Sequence, residues 1–143
     1  AEAGRLVIGV MTAPSAPAAV ARLLDAFPQR RQASGRAVLA ALLRGVVAQR
    51  LIPSSEGKGA ELAAELLLGT PPVSALVREN RLLHLPAAIF NGRADGMVAM
   101  DDSILRLCRR GRIGLEAALR HAHDAERLHE ALGGKRETVH AAD

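Results

Sequence analysis

Five histidines, one cysteine and a Gly-Lys-Gly turn are the groups in this chain whose types could do chemistry. His121 and His123 form the closest histidine pair. Two residues apart on a helix they point to different faces, so they do not share an ion easily, and no cysteine or carboxylate cluster completes a tetrahedral set. Cys108 falls on an apolar helix face with no histidine near it in sequence, which suits packing rather than nucleophilic catalysis. No serine stands in a G-x-S-x-G elbow. Gly57-Lys58-Gly59 invites a phosphate-binding reading, but such a loop requires G-x-x-x-x-G-K-[ST] opening a helix. Here glycine follows the lysine, Ile52 stands five before Gly57, and a strand comes next. The expectation is therefore no catalytic, cofactor-binding or metal-ligating residue within this chain.

The arginines are the remaining candidates. Arg106, Arg109, Arg110 and Arg112 could contact a nucleic-acid backbone, giving salt-dependent binding without sequence preference, yet no aromatic residue lies among them to stack on bases. Arg30-Arg31 reads as a solvated face. The net charge of +4 comes almost wholly from arginine, since Lys58 and Lys135 are the only lysines. Nucleic acid, a membrane surface and arginine-filled solvated helix faces are all compatible with that balance. The length of 143 residues suits one domain, and with two Phe, no Trp and no Tyr the core must be aliphatic and Ala-rich. No apolar run approaches the ~20 residues of a membrane span, and no stretch has the form of a signal peptide. A single cysteine fits a reducing cytosol.

The elements that position these groups follow from periodicity. Leu6 to Met11 is continuously apolar, as expected of a strand buried on both faces of a parallel sheet. Ser15 reads as an N-cap with Pro17 in the first turn of a helix to about Phe27, burying Val20, Leu23, Leu24 and Phe27 before Pro28 ends it. A second helix is expected from Gln29 to Arg44, with Val38, Leu39, Leu42 and Leu43 as its apolar stripe and Gly45 ending it. Val46–Ile52 and Leu62–Leu68 read as a hairpin joined by Ser54–Gly59, whose glycines tolerate positive φ. From Pro71 the pattern is helical. One helix carries Val73, Leu76 and Val77, and another runs from Leu83 to Phe90 with Pro86 in its first turn. Gly92 reads as a C-cap and Asp101 as the cap of the next helix, in which Ile104, Leu105 and Cys108 face a core. Gly111 with Ile113 behind it reads as a glycine C-cap, followed by helices from Leu115 to His123 and from Asp124 to Leu132.

Leu43-Arg44-Gly45-Val46-Val47-Ala48-Gln49-Arg50-Leu51, the Gly-Lys-Gly turn and Ala63-Ala64-Glu65-Leu66-Leu67 resemble the secretion ATPases that power type IV pili, and most closely the twitching-motility, PilT/PilU-like retraction branch. Gly92, Gly96, Met97, Met100 and Asp101 match that family's G-x-x-x-G-M-x-x-M-D. Val73, Leu76, Val77, Arg78 and Glu79 agree with its A-I-R-N-L-I-R-E signature, while Pro72, Ser74 and Ala75 depart from it. Ser15-Ala16 and Arg22…Asp25-Ala26-Phe27-Pro28 match the segment after the family's His box, but Arg5 and Thr12 stand where its two histidines would be. The nucleotide-sensing histidines are therefore not carried over. Taken as bland chemistry, Arg78 and Glu79 are a surface charge pair worth little.

The resemblance covers roughly Ala1 to Leu132 and implies an α/β fold, the C-terminal portion of a RecA-like P-loop NTPase domain (an apolar strand plus a β-hairpin with helices) followed by an all-helical C-terminal region. The expected division is a partial ATPase core over 1–70, a helical region over 71–132 and a flexible tail over 133–143. Residues expected to carry family or interaction roles are Arg44, Gly45, Gln49, Arg50, Glu65, Leu76, Arg78, Glu79, Gly96, Met97 and Asp101. The family uses ATP and Mg, and this chain alone is expected to hold neither and to be inactive, because the Walker A and Walker B motifs fall outside it. Implied partners are PilT/PilU-like subunits in a homo- or hetero-hexamer and the pilus inner-membrane platform protein. The implied location is cytoplasmic, peripheral to the inner membrane. The alternative is a non-catalytic, degenerate paralogue or adaptor that docks on a motor ATPase, and a weaker one is a basic nucleic-acid-binding module.

Overall fold

The structure, a computed structural model, describes residue 1 and residues 3–134. Most of the expected 133–143 tail lies outside the described residues. The chain forms two compact units, one made of Ala1–Gln49 and Ala64–Ala99, the other of Arg50–Ala63 together with the chain from Met100 onward.

In the first unit, α1 (Ala16–Asp25) starts at Ser15, whose hydroxyl accepts from the Ala18 N–H, with proline in the first turn as expected. Val20 and Leu24 are buried, but Leu23 is exposed, and the helix stops two residues before Phe27. The expected Gln29–Arg44 helix is split. A 3-10 turn (Gln29–Arg31) leads into α2 (Gln32–Leu42). Its most buried positions are Gly35 and Ala40, and the predicted leucine-valine stripe is only half-buried. Small residues mark the face of closest approach: the ring of Phe27 lies where a Cβ on Gly35 would fall. α2 packs on α3 (Pro71–Arg78), which buries Val73 and Val77, and α3 packs on α4 (Leu85–Asn91), which buries Leu85 and Ile89. Each such side chain contributes about 1.5–3 kcal/mol on leaving water.

The hairpin runs through β1 (Gly45–Pro53) and β2 (Ala60–Leu68) as a two-stranded antiparallel sheet. Gly45 thus opens a strand rather than closing a helix. Backbone bonds from Gly69 to Arg44 at the base and from Ser54 to Gly59 at the tip set a register that places Glu65 opposite Ala48. Burial alternates accordingly, with Ala48, Ile52, Ala63, Glu65 and Leu67 on the covered face. Gly57 and Gly59 both adopt positive φ, as their place in the turn requires.

In the second unit, α5 (Met100–Arg109) packs on α6 (Leu115–His121) and α7 (Ala125–Ala131) around Met100, Ile104, Ile113, Ala118 and Leu128. α5 ends as expected. Gly111 takes positive φ, the Arg112 N–H reaches the Leu107 carbonyl, and Ile113 is buried behind the turn. Leu105 and Cys108 are half-buried rather than fully in the core. No helix among the described residues is long and apolar enough to cross a membrane.

Two expectations need larger corrections. Leu6–Met11 does not form a strand: Leu6 is 81% and Val10 99% exposed. A strand needs a hydrogen-bonding neighbour, and among the described residues none lies beside this run. The region after Pro71 is not wholly helical either, because Val98 forms an isolated antiparallel bridge with Leu66.

Candidate functional site

Glu65 is a buried acid at 4% exposure, and its Oε2 accepts the backbone N–H of Ala16 at 2.6 Å. A carboxylate out of water is costly unless it is hydrogen-bonded and sees positive charge, and the N-terminus of α1 supplies both. The donors of the first turn are all accounted for. Ala16 serves Glu65, Pro17 has no N–H, Ala18 serves the Ser15 hydroxyl and Ala19 the Ser15 carbonyl. Ahead of the helix, the Arg22 guanidinium turns back to donate to the Thr12 carbonyl, so the residue standing at the second His-box place is held by α1 itself.

Next to Glu65 on the strand, Leu66 and Val98 exchange backbone hydrogen bonds of 2.8 and 3.1 Å. Val98 follows Gly96, which takes positive φ, and Met97, which is buried. Gly92 sits at the C-cap of α4 as predicted, but with right-handed φ. The reason for a glycine there is the Met97 side chain, whose Sδ would lie 2.7 Å from an added Cβ. It is Gly96 that uses the left-handed region. The same region holds an open groove of about 390 Å³ whose lining includes Leu76, His84, Ala88, Asp95 and Met97. Leu76 and Met97, drawn from two separate motifs, therefore meet at one surface. Arg78 is exposed, and Glu79 pairs with Arg81 at 3.5 Å in the open. Asn80 holds φ 58° at the end of α3, and the Arg81 N–H reaches back to the Leu76 carbonyl. Arg93 stacks over the Phe90 ring at 3.7 Å.

In the second unit the predicted residues Arg50 and Asp101 converge on the α6–α7 junction. Asp101 does not cap α5. It lies inside the first turn of that helix, and its two carboxylate oxygens accept the N–H groups of His123 (2.8 Å) and Asp124 (2.9 Å). Asp124 in turn caps α7 through the Arg127 N–H. Arg50 donates to the His121 carbonyl and lies 3.2 Å from His123 Nε2. His123 thus sits beyond α6 rather than on it, and the histidine pair is a packing feature of the junction. Among the described residues no cluster of His, Cys, Asp or Glu could hold a metal. At the hairpin tip, Ser55 donates to the Gly111 carbonyl and Arg112 pairs with Glu61 at 2.7 Å. The hydrogen bond and charge of Glu61 raise the Arg112 guanidinium above its usual range. Arg112 is therefore not a free member of the arginine group, and Arg109 spends a donor on the Ala131 carbonyl.

Of the other predicted residues, Arg44 contributes its carbonyl to the hairpin base, and Arg44, Gly45 and Gln49 are all exposed. Sequence reasoning named Glu65 and Asp101 but missed their partners. Both reach across long stretches of chain to backbone N–H groups, which carry no side-chain signature. The Ser15-Pro17 start of α1 was the one local cue available.

No family model matches the chain. It is 35% identical over 128 residues to a twitching motility protein of Neisseria gonorrhoeae, covering 90% of this chain and 34% of that one. It is 32% identical over 142 residues to the type IV pilus ATPase PilU of Pseudomonas aeruginosa, covering 98% and 37%. Among solved structures it is similar to the pilus retraction motor PilT with bound ADP, with a TM-score of 0.70, 30% identity and coverage of 84% of this chain and 33% of that chain. The ATPase DotB of Yersinia pseudotuberculosis shares the fold, with a TM-score of 0.63 at 19% identity. The chain spans about a third of the length of the curated relatives it matches.

Proposed function

We propose that this chain, a relative of the carboxy-terminal part of the PilT- and PilU-like secretion ATPases, serves as the carboxy-terminal part of a type IV pilus retraction motor. The observation that carries the reading is the likeness to PilT at 30% identity over 84% of the chain. The motif residues support it by joining separate elements: Glu65 of β2 holds the start of α1, Met97 lies over Gly92, and Asp101 holds the α6–α7 junction. In this reading residues 1–70 contribute a partial ATPase core and residues 71–132 a helical region. The working unit is a hexamer with PilT/PilU-like subunits at the cytoplasmic face of the inner membrane, against the pilus platform protein. ATP and Mg act on the P-loop and acidic metal motif supplied by the rest of that motor, and this chain by itself does not turn over ATP.

A second reading, a non-catalytic adaptor that docks on such a motor, is favoured by Arg5 and Thr12 standing in place of the His-box histidines. Mixing the purified chain with a full-length PilT-like ATPase tests both. Co-elution on sizing together with increased ATP turnover supports the motor reading, and co-elution with unchanged or reduced turnover supports the adaptor. ATP hydrolysis by the chain alone, or no association at all, overturns the proposal.

A further inference from the structure

We infer that Glu65 is a positioning residue that ties the start of α1, and the residues before it, to the Leu66–Val98 bridge, so that a displacement at one end is carried to the other. This holds whether or not the chain belongs to a motor, because it follows from contacts within one unit. Every other N–H of the first turn of α1 is served locally or absent, so among those donors Ala16 alone reaches the sheet. At 2.6 Å, from the first N–H of a helix to a buried carboxylate oxygen at the helix's positive end, that contact is short.

Successive strand residues point to opposite faces, so while the Glu65 side chain faces α1 the backbone of Leu66 remains available at the strand edge, where Val98 takes both its N–H and its carbonyl. On the far side of the contact, Arg22 holds the Thr12 carbonyl, which makes residues 12–15 move with α1. The steps are short: the Arg22 and Glu65 side chains each hold a backbone group of another segment, and the Leu66–Val98 step is backbone to backbone. A shift of α1 along its own axis must therefore either break the Glu65 contact or drag β2 and, with it, Val98 and the buried Met97.

Amide hydrogen exchange on the purified chain tests the link. In Glu65→Ala the amides of Ala16 and Ala18 should exchange about tenfold faster, as for a lost helix cap. The amides of Leu66 and Val98 should accelerate with them, while Val77 in α3 and Ile89 in α4 keep their protection. Acceleration confined to Ala16 and Ala18 would make Glu65 a cap and nothing more, and would overturn the link. If Glu65→Ala does not fold, Glu65→Gln, which keeps an acceptor oxygen without the charge, carries the test. Faster exchange at both ends upholds the link, and a change at one end or at neither overturns it.

Discussion

The carboxylate of Asp101 receives the backbone N–H of His123 at 2.8 Å, twenty-two residues along the chain, and with its second oxygen the N–H of Asp124. A residue near the start of α5 thereby fixes where α7 begins. Replacing Asp101 with alanine leaves two N–H groups to find other acceptors and should cost about 1–2 kcal/mol, measured by urea unfolding. Asp101→Asn should recover only part of that loss, because an amide offers one oxygen and its NH₂ faces a donor.

The hairpin base tolerates no side chain at Gly69, where a Cβ would run into the Leu43 carbonyl. Gly69→Ala should destabilise by about 2 kcal/mol or more, since backbone must move. Gly92→Ala meets instead the flexible end of Met97 and should cost roughly 1 kcal/mol or less, with Gly92→Ala/Met97→Leu no better than Gly92→Ala alone. Thermal melts of the variants decide the order.

Apolar side chains from Leu6 to Met11 face solvent, with no neighbouring strand among the described residues. The chain should associate as its concentration rises, seen by light scattering. Ile8→Lys with Val10→Lys should keep it monomeric at unchanged circular dichroism, because neither residue contributes to the core.

At the end of α3, Asn80 occupies the left-handed region at φ 58°. Asn80→Gly should be neutral or mildly stabilising, whereas a β-branched valine there should cost about 1–2 kcal/mol. Denaturation midpoints at constant slope would show it.

Local features of the fold were legible in the sequence. Ser15 and Pro17 mark the start of α1, the Ser54–Gly59 turn marks the hairpin, and Gly111 with Ile113 marks the end of α5, because each is decided within a few residues. The resemblance supplied the fold class and the motif positions. The face of a helix that meets its neighbour was less legible: α2 buries Gly35 and Ala40 rather than its leucines, since close approach to Phe27 rewards absent volume over apolar volume. Leu6–Met11 reads as a buried strand because hydropathy reports what a segment would bury, not whether a partner lies beside it. Asp101 reads as a cap of its own helix because a capping aspartate and one reaching a distant junction look alike in sequence.

The hairpin also acts as a ruler. Its base is pinned by Gly69 against Leu43 and its tip by the two left-handed glycines, so sliding one strand by a residue would have to defeat both ends at once. Such a slip would turn Glu65 to the open face and leave the Ala16 N–H without its acceptor. The two ends of the hairpin thus set the length at which α1 can be met, and inserting or deleting one residue in either strand should register as a fault at Ala16 rather than in the turn.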